Sequence, residues 1–332
     1  MKLVIPGGTG QIGQMLVRTF LARGDEVVVL SRAGRSDARV VTWDGRTQGL
    51  WTREIDGADA VLNLAGRSVN CRYNPANLAE MMRSRVESTR AVGIAIQQAT
   101  HPPRVWMQMS TATIYAHRFD APNNEASGRI GGNEADAPRR WDFSIEIAKA
   151  WEDALAAANT PSTRRLALRS AVMLSANPSA HLDLLLGLVR FGLGGPIAGG
   201  RHFVSWIHEH DFVRAIDVLL QREDLSGAIN LAAPNPLPQR EFMAALRVAA
   251  GIPVGLPATR WMAEIGAFFL RTDTELILKS RRVVPGRLLD AGFAFEFPEW
   301  PAAAADLVAR RRERGAGRGT MRGVAAMEAP AP

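Results

Sequence analysis

Short apolar runs alternate with longer stretches of helical periodicity through the first half of the chain. Leu3-Val4-Ile5, Val27-Val28-Val29-Leu30 and Ala60-Val61-Leu62 are continuous rather than alternating, as in strands covered on both faces of a parallel sheet. The spacing predicts strands over 2–6, 26–31, 40–43, 60–64, 104–110 and 165–169, and helices over 11–23, 75–100 and 141–158. Regular alternation of this kind means a Rossmann-type, doubly wound parallel α/β sheet. Beyond residue 170 the rhythm changes to helices joined by Pro/Gly-rich segments at 192–200, 233–238 and 251–257, with a strand at 228–231 expected to return to the sheet. The predicted organisation is a nucleotide-binding domain over 1–170, a smaller, mainly helical substrate-side domain over 171–309, and a tail over 310–332.

Composition changes this picture little. With 332 residues, 47% hydrophobic and 22% charged, the chain has the make-up of a globular protein with a sizeable core, and wholesale disorder and fibrous repeats are excluded. A single cysteine, Cys71, cannot form an internal disulfide, which fits a reducing compartment. Leu3, Val4 and Ile5 fall far short of a secretory segment, so a cytoplasmic location is expected. The longest apolar candidate, Leu184 to Gly195, is interrupted by Arg190, and no membrane span is expected. Of the net charge of +7, four units come from residues 310–332, which hold six arginines and two glutamates. That segment reads as a solvated, disordered extension, and nucleic acid ranks last among partners because the body carries no basic face interleaved with aromatics. A homodimer is left open.

The chemistry begins at Gly7-Gly8-Thr9-Gly10-Gln11-Ile12-Gly13, between the first strand and the first helix. A strand–turn–helix here aims unpaired N–H groups and the positive helix end at a phosphate, and glycine allows close approach. A dinucleotide is therefore expected on Gly7, Gly10, Gln11, Ile12 and Gly13. Where an NAD-binding domain places a carboxylate on the ribose, after the second strand, this chain has Ser31-Arg32-Ala33-Gly34-Arg35. Guanidinium groups attract a 2′-phosphate, so NADP(H) is the expected cofactor, with Ser31, Arg32 and Arg35 as its partners.

Together with Asn63-Leu64-Ala65-Gly66, the glycine loop resembles that of the extended short-chain dehydrogenase/reductase superfamily. More narrowly, the chain resembles the atypical sugar-nucleotide epimerase-like family with its characteristic C-terminal domain. That match is carried by Ser84-Arg85-Val86 with Thr89, Ser110-Thr111-Ala112, Phe143 through Lys149-Ala150-Trp151-Glu152, Gly192-Leu193-Gly194-Gly195-Pro196, Ser205-Trp206-Ile207-His208 with Asp211, and Pro285 with Gly292-Phe293. The resemblance covers residues 1 to about 308 and implies that Asn63, Leu64, Ala65, Gly66 and Lys149 also hold the cofactor. The superfamily's reaction uses a Ser/Thr at the end of the fifth strand, matched by Thr111, and a Tyr four residues before a Lys, matched by Lys149. In that scheme the Lys holds the ribose and lowers the Tyr pKa, and the Tyr moves the proton while the cofactor exchanges a hydride. The Tyr position is Ile145, and the narrower family tends to lack this Tyr.

The chain has two tyrosines, Tyr73 and Tyr115. If the strand stays extended, positions 111, 113 and 115 share a face and Tyr115 can replace the missing proton donor. Alternatively, it lies past the strand end and packs in the cap. Arg72, in the loop after the fourth strand, is a candidate clamp for an anionic substrate or a structural ion-pair residue. Trp206 and His208 are candidates for the opposite wall of a substrate site, His208 being either an acid/base or a hydrogen-bonded core residue. No metal site is expected, since His208, His210 and Asp211 lack a supporting cluster, and Cys71 reads as a passive thiol. Together these expectations describe an NADP(H)-binding oxidoreductase or epimerase-like protein acting on a small polar carbonyl, hydroxyl or nucleotide-linked substrate. The alternative is a sensor or scaffold that binds NADP(H) without turnover.

Overall fold

The computed structural model describes residues 1–69, 71–132, 134, 137–178, 180–262, 264 and 275–327. Seven strands form the central sheet: β1 (Lys2–Pro6), β2 (Glu26–Ser31), β3 (Arg39–Thr42), β4 (Ala60–Asn63), β5 (Val105–Thr111), β6 (Arg164–Ser170) and β10 (Gly227–Leu231). Their order is β10-β6-β5-β4-β1-β2-β3, and every neighbouring pair is parallel. The order reverses beside β1, the point at which a doubly wound sheet opens a crevice for a ligand.

Alternate strand residues feed opposite layers, as the period of two requires. Leu3, Ile5, Val27 and Val29 pack with Leu16 and Phe20 of α1 (Gln11–Ala22) and with Phe212, Ile216 and Leu219 of α5 (Glu209–Gln221). Val4, Val28, Val61 and Trp106 pack on the other face with Val92 and Ile96 of α2 (Pro75–Gln98) and Leu155 of α3 (Asp142–Ala156). Each such buried side chain contributes roughly 1.5–3 kcal/mol of transfer free energy.

The C-terminal part contains more β structure than its sequence suggests. Besides α4 (Ala180–Arg190) and α6 (Gln239–Ala250), it has β7 (Val172–Leu174) parallel to β9 (Trp206–His208), and β8 (Phe203–Val204) antiparallel to β11 (Leu237–Pro238). Strands of two or three residues are too short for periodicity to reveal. The tail also differs from expectation. A helix runs Trp300–Met327 and buries Trp300, Ala303, Ala304 and Leu307 against Trp206, Phe242 and Leu246. Arg310 binds Glu209 (2.7 Å) and Asp306 (3.0 Å), Arg311 binds Asp183 (2.8 Å), and Arg312 reaches the Ala250 carbonyl (2.7 Å). From Arg310 to Arg314 the helix is thus tied to the body, because Glu209 and Asp183, far away in sequence, and the Ala250 carbonyl receive these arginines. Residues 328–332 lie outside the described ones.

One C-terminal segment returns to the nucleotide-binding layers. Val283 is buried beside Ile114 and Tyr115, and Leu288 and Phe293 join the core under α1 and α5. The backbone is tied in as well: Asn123 N–H donates to Arg282 O, Val284 N–H donates to Asn123 O, and Arg287 reaches Ala228 O.

Candidate functional site

At the end of β1 the chain turns through Gly7, whose φ of 78° lies in the left-handed region. A side chain on Gly7 would come within 2.8 Å of the Ala65 backbone, and one on Gly13 within 2.4 Å of the Gly8 Cα. These positions therefore bring α1, β1 and the loop after β4 closer than any Cβ permits. Gly10 caps α1 with no side-chain bond, and no acid stands in the first turn, so the positive helix end is uncompensated.

A groove of about 240 Å³ opens beside this turn across the ends of β1 to β4. From the predicted set it is lined by Gly7, Gly10, Ser31, Arg32, Leu64, Ala65 and Gly66. Gln11, Ile12, Gly13 and Arg35 do not line it, and Arg35 is exposed. Gln11 instead donates to the Pro178 carbonyl at 3.2 Å. Asn63 is fully buried, joined to Gln108 (2.9 Å) and accepting from Ala65 N–H (3.0 Å), so it shapes the turn from beneath. Sequence reasoning missed the third wall, Trp43 through Arg46, together with Arg67. The signal was available, since Trp43-Asp44-Gly45 leaves β3 at the same sheet edge.

The groove's arginines differ in how fully they are bonded. Arg46 lies 3.6 Å from Glu87, and Arg67 donates to Asn77 at 2.8 Å. Arg32 makes no hydrogen bond or ion pair with any described residue. The hydrogen bond from Arg83 holds the Glu80 carboxyl below the usual carboxylate range, so the groove's acidic rim stays charged.

At the end of β5 the expected parity fails. Residues Ala112–Ile114 form a single 3₁₀ turn, capped by Thr111 Oγ1, which accepts Thr113 N–H and bonds Thr113 Oγ1 at 3.0 Å. The turn carries Tyr115 away from the face of Thr111. Tyr115 is 2% exposed; its hydroxyl donates to Asn230 and accepts from Arg169, both at 2.9 Å. Arg169 in turn holds Glu152 through two bonds of 2.9 and 2.7 Å. Burial pushes the Tyr115 phenol up. Tyr115 therefore packs in the core with its hydroxyl bonded on both sides. Lys149 Nζ donates to Gly131 O at 3.0 Å. Ile145 is buried beneath Gly131, where an added Cβ would meet its Cδ1 at 2.8 Å.

The supposed opposite wall is also core. Trp206 is fully buried, 5.1 Å from the Trp300 ring. His208 is fully buried and stacked 3.9 Å from Phe297. Its Nδ1 accepts His210 N–H and its Nε2 faces Asp306 at 3.0 Å, which fixes a neutral imidazole with the proton on Nε2; burial holds its pKa down. Parallel pairing of β9 with β7 turns both side chains inward. Arg72 is exposed before α2, and its carbonyl receives Asn74 N–H and the Asn77 side chain. Among the described residues no cluster of His, Cys, Asp or Glu fits a metal.

A second group escaped the sequence reading. Glu275 and Lys279 form a buried pair at 3.3 Å, and Lys279 also donates to Thr113 O at 2.8 Å. Burial raises the Glu275 pKa and lowers that of Lys279. A signal existed: the chain has three lysines, Lys2, Lys149 and Lys279, against 37 arginines.

Comparisons with known proteins agree with this architecture. The model of the NAD dependent epimerase/dehydratase family matches residues 3–232, and a domain of unknown function (DUF1731) matches 258–307. Epimerase family protein SDR39U1 of Bos taurus is 35% identical over 315 residues, covering 93% of this chain and all of that one; the Homo sapiens protein is 33% identical at the same coverage. Epimerase family protein YfhF of Bacillus subtilis is 28% identical over 94% of the chain and 99% of that protein. The crystal structure of human SDR39U1 (isoform 2) with NADPH superimposes with a TM-score of 0.80 at 29% identity, covering 93% of this chain and 99% of that one. With the glycine turn, the parallel sheet and the C-terminal domain all in place, this chain belongs to the NAD dependent epimerase/dehydratase family.

Proposed function

We propose that the protein binds NADP(H) and acts as an oxidoreductase or epimerase-like enzyme on a small polar carbonyl or hydroxyl compound. The observation that carries the cofactor choice is Arg32. It stands at the groove after β2 with no hydrogen bond or ion pair to any described residue, its charge felt across the groove by Glu80, a condition that suits a 2′-phosphate. The glycine turn fits a pyrophosphate because it is packed tightly enough to bring backbone N–H groups close to a ligand: a methyl group at Gly7 would strike the Ala65 backbone and one at Gly13 the Gly8 backbone, forcing the turn open. The NADPH held by human SDR39U1 supports the same reading. Gly7, Gly10 and the first turn of α1 would hold the phosphates, with Arg32 and Arg46 on the ribose phosphate. Arg35, exposed and outside the groove, drops from that set.

NADPH supplies a hydride when bound. Around the reacting end, Thr111 and Thr113 offer a hydroxyl pair and Lys149 a cation, while Ile145 offers no proton. Proton movement then falls to the Thr111–Thr113 pair with solvent. A second reading, NADP(H) binding without turnover, is favoured by one observation: both tyrosine routes are closed, Ile145 by identity and Tyr115 by its bonds to Asn230 and Arg169. Titration with NADPH and NADH tests the cofactor, tighter NADPH being expected and equal affinity overturning it. A carbonyl-substrate screen with NADPH separates the two readings: turnover lost in Thr111→Val supports the enzyme, and a silent screen with tight NADPH binding supports the sensor.

A further inference from the structure

A second and larger cavity, of about 650 Å³, lies between α1, the chain that follows β7 and the C-terminal helix. Three guanidinium groups border it, those of Arg18, Arg311 and Arg314, and no carboxylate does. Arg18 projects from α1 and makes no hydrogen bond or ion pair with any described residue. Arg311 shares its charge with Asp183 at 2.8 Å, and among the described residues Arg314 is bonded to the neutral amide of Asn177. Glu209, bonded to the lining residues Ser175 and Asn177, is also engaged by Arg310. The cavity lining therefore carries arginines and no carboxylate of its own. The side chains of Gln11 and Gln14, which donate to the Pro178 and Thr9 carbonyls, complete the α1 side, and Met15 and Met173 form an apolar floor.

We infer that this cavity binds a small polyanion with at least two phosphate groups, at a site that adjoins the dinucleotide groove at Thr9 but is centred on Arg18, Arg311 and Arg314. A single exposed arginine contributes little to holding a monoanion. Here two helices present guanidinium groups from opposite sides, and each can take a phosphate oxygen pair. The volume suits a small-molecule ligand rather than one lone ion. A ligand bridging Arg18 to Arg311 and Arg314 ties the C-terminal helix to α1, a connection the protein's own side chains do not make through Arg18.

Inorganic pyrophosphate, titrated calorimetrically into the full-length protein with and without saturating NADPH, tests the site. The expected result is binding under both conditions that weakens with added salt. Arg18→Glu should weaken it at least tenfold while leaving the melting temperature and the NADPH dissociation constant unchanged. Arg18 is exposed on a helix, so the substitution does not threaten folding. Arg311→Ala should weaken pyrophosphate as well. The proposal is overturned if pyrophosphate does not bind, if saturating NADPH abolishes its binding, or if Arg18→Glu binds it as the parent does. Orthophosphate binding as tight as pyrophosphate overturns the requirement for two phosphates.

Discussion

Arg32 and Arg169 are the same side chain at two ends of one sheet, in opposite conditions. Arg32 faces an open groove with nothing to bond, whereas Arg169 is spent on Glu152 twice and on the Tyr115 hydroxyl. The contrast extends to their neighbourhoods. At the β1–β2 end, glycines and an uncapped helix leave donors available; at the β5–β6 end, Tyr115, Arg169 and Glu152 are consumed by one another and by Asn230. Ligand recognition requires donors that the protein leaves unsatisfied, and a satisfied one can be recruited only at the cost of the bonds it holds. Completeness of hydrogen bonding thus separates a binding end from a structural end more sharply than residue type does.

The comparison breaks most violently at Gly13. Replacing it with alanine forces a methyl group against the Gly8 backbone, an overpacking worth about 3 kcal/mol. Thermal melting should fall accordingly and NADPH binding should be lost; a mutant that melts normally and binds NADPH would show that the turn is not under this constraint. Next in size is Arg32→Ala, which should weaken NADPH by roughly ten- to a hundredfold and NADH hardly at all in parallel titrations. Arg46→Ala should act in the same direction but less, because Arg46 is shared with Glu87.

At the other end, Tyr115→Phe leaves Asn230 short of a donor in a buried setting, costing about 1–2 kcal/mol of stability by chemical denaturation. NADPH affinity and any turnover should be unchanged; a large loss of kcat without a loss of stability would return Tyr115 to the reaction. His208 sharpens the same point through pH. Its folded pKa is lowered by burial from 6.5, so its contribution is present above pH 6.5 and is lost as pH falls below that value, where the unfolded chain takes up the proton first. Melting temperatures from pH 7 to 5 should decline less steeply in His208→Gln than in the parent. Arg35→Ala is the smallest effect, less than twofold in NADPH affinity.

Much of this was legible in the sequence where the determinants are local. The spans of β1, β2 and α1 follow from contiguous apolar runs and glycine placement, and the resemblance to the epimerase-like family is carried by contiguous motifs. Tyr115 failed because its parity with Thr111 holds only in an extended chain, and the turn at Ala112–Ile114 is stabilised by the Thr111 side chain rather than by any turn signature. Arg46 was not legible as a groove residue, because it follows β3 and only folding brings that strand's exit beside the glycine turn. The docking of Arg310 and Arg311 depends on Glu209 and Asp183, about a hundred residues or more away, and no local composition records such a pairing. Lys279 was visible only as an exception to the chain's preference for arginine.

The return of the C-terminal segment to the sheet bears on how such a chain can be inherited or dissected. The family match ends at 232 and the second match begins at 258, which invites the notion of a cassette joined to a finished module. The physical seam is elsewhere: Val283, Leu288 and Phe293 complete the core of the first part, and Asn123 and Ala228 receive their bonds from residues beyond 280. A gene encoding residues 1–232 alone would specify a protein with an open flank, since the residues on either side of this seam constrain which partners the other side can accept.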